Sequence, residues 1–182
     1  KVTARAHLHR RAARAAIAHS RQGARNIDRI GGPRHEQAAA IRGEGTSNDY
    51  FPPEVPALPS FALQKAISTT IREHNQDYWT GTVYTTNRRV WEHDDKFKEY
   101  LRTIRAMAID METATLFSVA FANEIPVGAL LLVSDQPMIP EGVKTDESDK
   151  KVTAHFVETH LQVGIDSLKQ LINQGLTVKH LR

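Results

Sequence analysis

The sequence predicts an α/β protein: a three-layer α/β/α sandwich in which helices cover both faces of a mixed sheet, with strands near residues 38–42, 79–86, 106–110 and 127–133. Three observations carry this. Two short apolar runs, Met107-Ala108-Ile109 and Gly128 to Val133, each stop abruptly near a carboxylate, which is how a strand buried on both faces reads. Between them Thr113 to Ala122 repeats its apolar residues at helical spacing, so strand, helix and strand read as one parallel crossover unit. A final helical pattern from about Asp149 to Asn173 sets Val152, Phe156, Val157, Leu161, Gly164, Ile165, Leu168 and Ile172 at spacings of three and four; it predicts a core-facing helix over one sheet face, stopped by Gly175.

Taken in order, residues 1–37 form a basic Arg/Ala/His-rich segment expected to lie outside the core. Its Ala-rich part suggests a helix over residues 4–19, but the apolar stripe is too thin to support one in water. From residue 38 the character changes. A strand at 38–42 leads through Gly43 to Asp49, which is turn chemistry, to Tyr50-Phe51 and the Pro-rich stretch Pro52 to Pro59, an extended surface connector because prolines deny it a hydrogen-bond ladder. Arg42 and Glu44 read as a surface ion pair. Ser60 is placed to cap a helix whose apolar face is Phe61, Leu63, Ala66, Ile67 and Ile71, ending near His74-Asn75. Tyr78 to Thr86 is aromatic and β-branched, as strands prefer, and Asn87-Arg88-Arg89 breaks it before Trp91 and a helix from about Asp94 to Thr103 bearing Phe97, Tyr100 and Leu101. Beyond the central unit, residues 136–149 form a loop with Pro137 and Pro140, long enough to act as a lid.

Composition excludes several classes. The 182 residues, 40 % hydrophobic and 25 % charged, suit one sizeable globular domain and not a fibrous or disordered chain. Without cysteine there is no disulfide and no thiolate metal site. His155 and His160 are five apart and do not share a helix face as metal ligands at i, i+4 would, so no metal is expected, and no motif calls for a cofactor. No apolar run approaches the roughly 18 residues that a membrane span needs, so a soluble, cytoplasmic protein is expected. Residues 1–40 hold nine Lys and Arg against Asp28 and Glu36, a local balance of +7 that leaves −4 for the rest of a chain whose total is +3. A nucleic-acid partner is nevertheless not expected, because the basic segment has no aromatic residue to stack on bases.

The runs AIDMETAT and GALLLVSDQP resemble the nucleoside phosphorylase and nucleosidase family, in which a Met-Glu pair opens a helix and a Ser-Asp pair ends the next strand. Within that family the chain is similar to the AMP nucleosidases from about Ala40 to Arg182, including IRGEGTSNDYFPPEVPALP, TGTVYTTNRRVWEHD and EGVKTDESDKKVTAHFVETHLQVGID. The resemblance implies a nucleoside phosphorylase-type sandwich, incomplete at its N-terminus, with residues 38–182 as a catalytic domain. It also implies a homo-oligomer, such as a hexamer, and cleavage of AMP by water to adenine and ribose 5-phosphate; the aromatic pair Tyr50-Phe51 beside the Pro-rich connector reads either as a contact between copies or as packing folded back on the chain. Phosphorolysis of a purine nucleoside, or an inactive remnant acting in binding or assembly, are the alternatives. Gly31-Gly32-Pro33 makes a poor cradle for a phosphate, since proline removes a donor, and no holder for the 5′-phosphate is apparent.

Breaking a purine–ribose bond needs a proton for the leaving base and negative charge near a sugar that becomes cationic. Asp135, behind an apolar strand and Ser134, is the expected general acid, because desolvation favours a protonated carboxyl. Glu112 is expected to hold the ribose hydroxyls, with Met111 against the sugar and Ser134 lining the site. Trp91 reads either as a packing residue or as a flat wall for the purine. Arg88 and Arg89 beside Glu92, Asp94 and Asp95 read as a solvated charge cluster.

Overall fold

The computed structural model describes residues 22–23, 35–138 and 146–180, so the helix expected at 4–19, Gly31 to Pro33 and the middle half of the expected lid loop lie outside the described residues. Alternation of β-branched and aromatic residues makes Tyr78–Thr85 the central strand β3, with β2 (His35–Arg42) parallel on one side and β4 (Ala108–Asp110) parallel on the other. Arg42 pairs with Thr85 and Thr85 with Asp110, which brings the carboxyl ends of all three strands to one edge. The five-stranded sheet has the order β1-β4-β3-β2-β5 and is closed by two short antiparallel strands, β1 (Gln22–Gly23) on β4 and β5 (Leu131–Leu132) on β2.

Helices α1 (Ser47–Tyr50), α2 (Phe61–Glu73), α3 (Asp95–Thr103), α4 (Thr113–Ala122) and α5 (Asp146–Asn173) fill the outer layers. Ala40, Val83 and Ala108 point to one sheet face and pack with Phe117 and Ala120 of α4. Ile41, Tyr84 and Ile109, their sequence neighbours, point to the other face and meet Phe97 and Leu101 of α3. The sandwich expected from the sequence is therefore present, with helices on both faces of a mixed sheet.

Several particulars differ from expectation. The parallel crossover ending in a strand at 127–133 is replaced by a two-residue edge strand that runs antiparallel to β2 and lies three strands from β4. Val127 accepts a hydrogen bond from the Ser60 N–H at 2.6 Å, and the Ala129 N–H donates to the Gln64 side chain at 2.9 Å. The apolar run thus divides its side chains between α2, which Leu130 meets, and the core beneath α4, which Val127, Ala129 and Leu131 join; an apolar run signals burial, not direction or partner. Residues 22–23 join the sheet although composition set 1–37 apart, because main-chain pairing requires no apolar side chain.

In α2, Phe61 stands 83 % exposed and the buried face is Leu63, Ala66, Ile67, Thr70 and Ile71. Likewise α5 buries His160, Val163, Ser167 and Leu171 and leaves Leu161, Ile165 and Ile172 exposed. Its buried stripe is rotated because α5 packs on α2 rather than on the sheet: Val163 meets Ile67 and Ile71, and Leu171 meets Leu63 and Ala66. Among the described residues no helix is long and apolar enough to cross a membrane.

Candidate functional site at the carboxyl edge of the sheet

The chain after β3 turns to α3 on one face, and the chain after β4 turns to α4 on the other. Loops that diverge in this way leave a crevice at the carboxyl ends of the two strands, which is where open α/β sheets bind ligands. Met111 and Glu112 lie on that crevice, and Thr86, which follows β3 at the same edge, is fully buried.

Its floor is Asp110, only 2 % exposed. The Thr85 hydroxyl donates to Asp110 Oδ1 at 2.7 Å and accepts from the Ala114 N–H at 2.9 Å, while the Thr113 N–H and hydroxyl both donate to Asp110 Oδ2, the N–H at 2.9 Å. The Thr86 N–H donates to the Asp110 carbonyl at 2.9 Å. Burial pushes the Asp110 carboxyl above the usual carboxylate range, against the hydrogen bonds from Thr113, Thr85 and the Glu112 N–H. Glu112 occupies the capping position of α4 but makes no side-chain cap bond. Its exposed carboxylate accepts from the Met111 N–H at 3.2 Å, and Met111 is half-buried beside it.

A second network walls the crevice. Glu44 accepts from the Thr86 hydroxyl at 2.6 Å and from Arg88 Nε at 2.8 Å, and Arg88 reaches Asp94 at 3.3 Å while lying 4.4 Å over the Phe97 ring. Burial acts to raise the Glu44 carboxyl, but the bonds from Thr86 and Arg88 and the Arg88 charge together hold it below its ordinary value. The partner of Glu44 is thus Arg88, not Arg42 as expected. Arg42 instead donates to the carbonyls of Ser47, Phe51, Pro52 and Val55 and to Asn48 Oδ1, and so ties down the loop that follows β2. Gly45 in this loop has φ +117°, a conformation that strains any residue with a Cβ, and a Cβ there would meet the Asn87 side-chain amide at 2.6 Å.

The other expected residues lie elsewhere. Trp91 is 1 % exposed, packed among Tyr84, Phe97, Leu101, Ala106 and Ile109. It has no face for a purine; the loop that carries it folds back under α3, and the indole fills the core. Ser134 and Asp135 are half-buried, with the Ser134 hydroxyl donating to Asp135. Since Leu132 pairs with His35, seven residues before Arg42 on β2, β5 ends at the sheet edge opposite Glu112, roughly 23 Å along the strand. The structure does not bring Asp135 to Glu112.

A groove of about 370 Å³ between the Pro-rich connector and α4 is lined by Leu58, Phe117, Phe121 and Ile125, with Ser60 and Glu124 its only polar side chains. It contains none of the expected site residues and too few polar groups to orient a nucleotide. The Asp110–Thr85–Thr113 anchor escaped the sequence reading, although Asp110 followed three residues later by Thr113 is a helix-capping pattern.

The phosphorylase superfamily model matches residues 27–171, beginning within the segment set apart on composition. AMP nucleosidase of Escherichia coli is 32 % identical over 167 residues, covering 82 % of this chain and 34 % of that protein. Uridine phosphorylase of Treponema pallidum is 26 % identical over 146 residues, covering 74 % of this chain and 54 % of that protein. Among solved structures, AMP nucleosidase from Bacteroides thetaiotaomicron superposes with a TM-score of 0.71 at 55 % identity, covering 87 % of this chain and 62 % of that one. Uridine phosphorylase from Vibrio fischeri gives a TM-score of 0.67 at 25 % identity, covering 85 % and 61 %. The chain spans about a third of the length of the curated AMP nucleosidase that it matches.

Proposed function

The chain belongs to the phosphorylase superfamily, and from that premise we propose that it carries the ribose- and base-handling part of a site that hydrolyses AMP to adenine and ribose 5-phosphate. The observation that supports this most is Met111-Glu112 on the crevice between β3 and β4, in a chain similar over more than four fifths of its length to proteins named AMP nucleosidase. In this reading the Glu112 carboxylate accepts from the ribose hydroxyls and lowers the energy of the cationic transition state, Met111 packs on the sugar, and Asp135, oriented by Ser134, protonates the departing adenine. Trp91 has no part in it except as core.

The reading demands that Asp135 approach Glu112. Leu131 and Leu132 pair with β2 over two residues and are fully buried, so bringing Asp135 to Glu112 means moving buried side chains as well as exchanging that pairing. Self-association is part of the same reading: exposed Tyr50 and Phe121, with Phe51 against Phe121, form an apolar patch suited to a second copy.

Product analysis of the full-length protein tests the reaction. Ribose 5-phosphate formed from AMP without added phosphate is expected. Ribose 1-phosphate formed only from nucleoside plus phosphate would instead establish phosphorolysis, the reading that similarity to uridine phosphorylases favours.

A further inference from the structure

Two carboxylates stand two residues apart at the start of α4, and only one of them serves the helix. An acid in the capping position ordinarily accepts from amides of the first turn, where the helix dipole also favours it. Glu112 holds that position and makes no such bond. Two of the three first-turn amides are already taken: the Thr113 N–H by Asp110, and the Ala114 N–H by the Thr85 hydroxyl, itself bonded to Asp110. Met111 N–H meets Glu112 Oε2 from the other side, which keeps the carboxylate turned back from the helix and exposed on the crevice.

We infer that Asp110 is a positioning residue for the glycosidic chemistry: by capping α4 from inside the core it spares the Glu112 carboxylate from that duty and holds it available to ribose hydroxyls. The inference rests on the reading of Glu112 as the ribose ligand. Truncation of Asp110 leaves the Thr113 and Glu112 N–H groups unpaired at a site closed to water, and the Glu112 carboxylate, carried on the residue next to Thr113, is the anion expected to turn in toward them. Folding inward to do so, it abandons the crevice.

Calorimetric binding of AMP and 2′-deoxy-AMP to the full chain tests this, with Glu112→Gln, Asp110→Ala, Asp110→Asn and Thr85→Val alongside wild type. Wild type is expected to prefer AMP by about tenfold or more, the worth of a hydrogen bond to a charged group. Glu112→Gln and Asp110→Ala should both lose that preference, whereas Asp110→Asn, whose amide oxygen still accepts from Thr113, should keep it within about twofold. Thr85→Val leaves Asp110 in place but frees the Ala114 N–H, and should lose the preference in part; it decides the matter if Asp110→Ala does not fold. A lower Tm with the preference intact in Asp110→Ala, or an unchanged preference in Thr85→Val, reduces Asp110 to a structural residue and overturns the inference while the ribose assignment stands. Absence of any preference in wild type, or its survival in Glu112→Gln, removes the ribose assignment and the inference with it.

Discussion

The two places where this chain ends a strand on a carboxylate are built in opposite ways. After β4, Asp110 is buried and receives donors from Thr85, Thr113 and Glu112, so the backbone that presents Met111 and Glu112 is fixed from three directions. After β5, the Ser134–Asp135 pair follows a two-residue edge strand, and the bond between Ser134 and Asp135 is internal to the pair. A site made from both halves draws on opposite ends of the sheet. The difference teaches that two similar strand-end carboxylate motifs can be seated in different ways, one inside the parallel core and one beyond an antiparallel edge strand.

The strongest test of this contrast lies in catalysis. Asp135→Asn in the full-length protein is expected to lower turnover by about 10²–10⁴ while AMP binding stays nearly intact, because the proton is needed only in the transition state. A substrate whose base departs without protonation should rescue it. Full activity in Asp135→Asn would show that the acid lies elsewhere and that the end of β5 plays no part.

Next in size is the effect of Trp91. Trp91→Ala should destabilise the fold by about 3–5 kcal/mol, the cost of emptying a fully buried aromatic site, as read by denaturant unfolding. Loss of AMP affinity without loss of stability would instead return it to the ligand wall.

Smaller effects separate the two strand ends directly. Asp110→Ala should cost about 1–3 kcal/mol through its orphaned donors, whereas Ser134→Ala should stay within about 0.5 kcal/mol. Comparable losses from the two would erase the contrast drawn above.

The smallest effect is in pH dependence. Because the folded carboxyl of Asp110 is raised, the folded state holds an extra proton between about pH 4, the unfolded value, and its folded value; through that window stability falls as pH rises. Glu44, held low, has the opposite sign: its contribution is present above the unfolded carboxylate value and is lost as pH falls through the folded one. Thermal unfolding across this range should therefore show the Tm difference between wild type and Asp110→Asn shrinking as pH rises. A difference that grew with pH would mean that Asp110 is stabilised as an anion.

What the sequence by itself determined is the class of fold and the elements that local chemistry dictates. Period-2 and helical patterns located β3, α3 and α4 to within a residue or two, since those patterns report local burial and burial is what the apolar residues were selected to achieve. Asp94, which the pattern placed as the first helical residue, is the cap of α3, its side chain accepting from the Phe97 N–H. The Met-Glu and Ser-Asp pairs were legible as family marks. Only the tertiary structure decided the rest: that Trp91 is core, that α5 turns its Val163 and Leu171 stripe to α2, that Arg88 rather than Arg42 meets Glu44, and that Leu131–Leu132 runs antiparallel at the edge. Direction, partner and sheet order depend on which surfaces are left to cover once the neighbouring elements are in place, and no local pattern of residues encodes that.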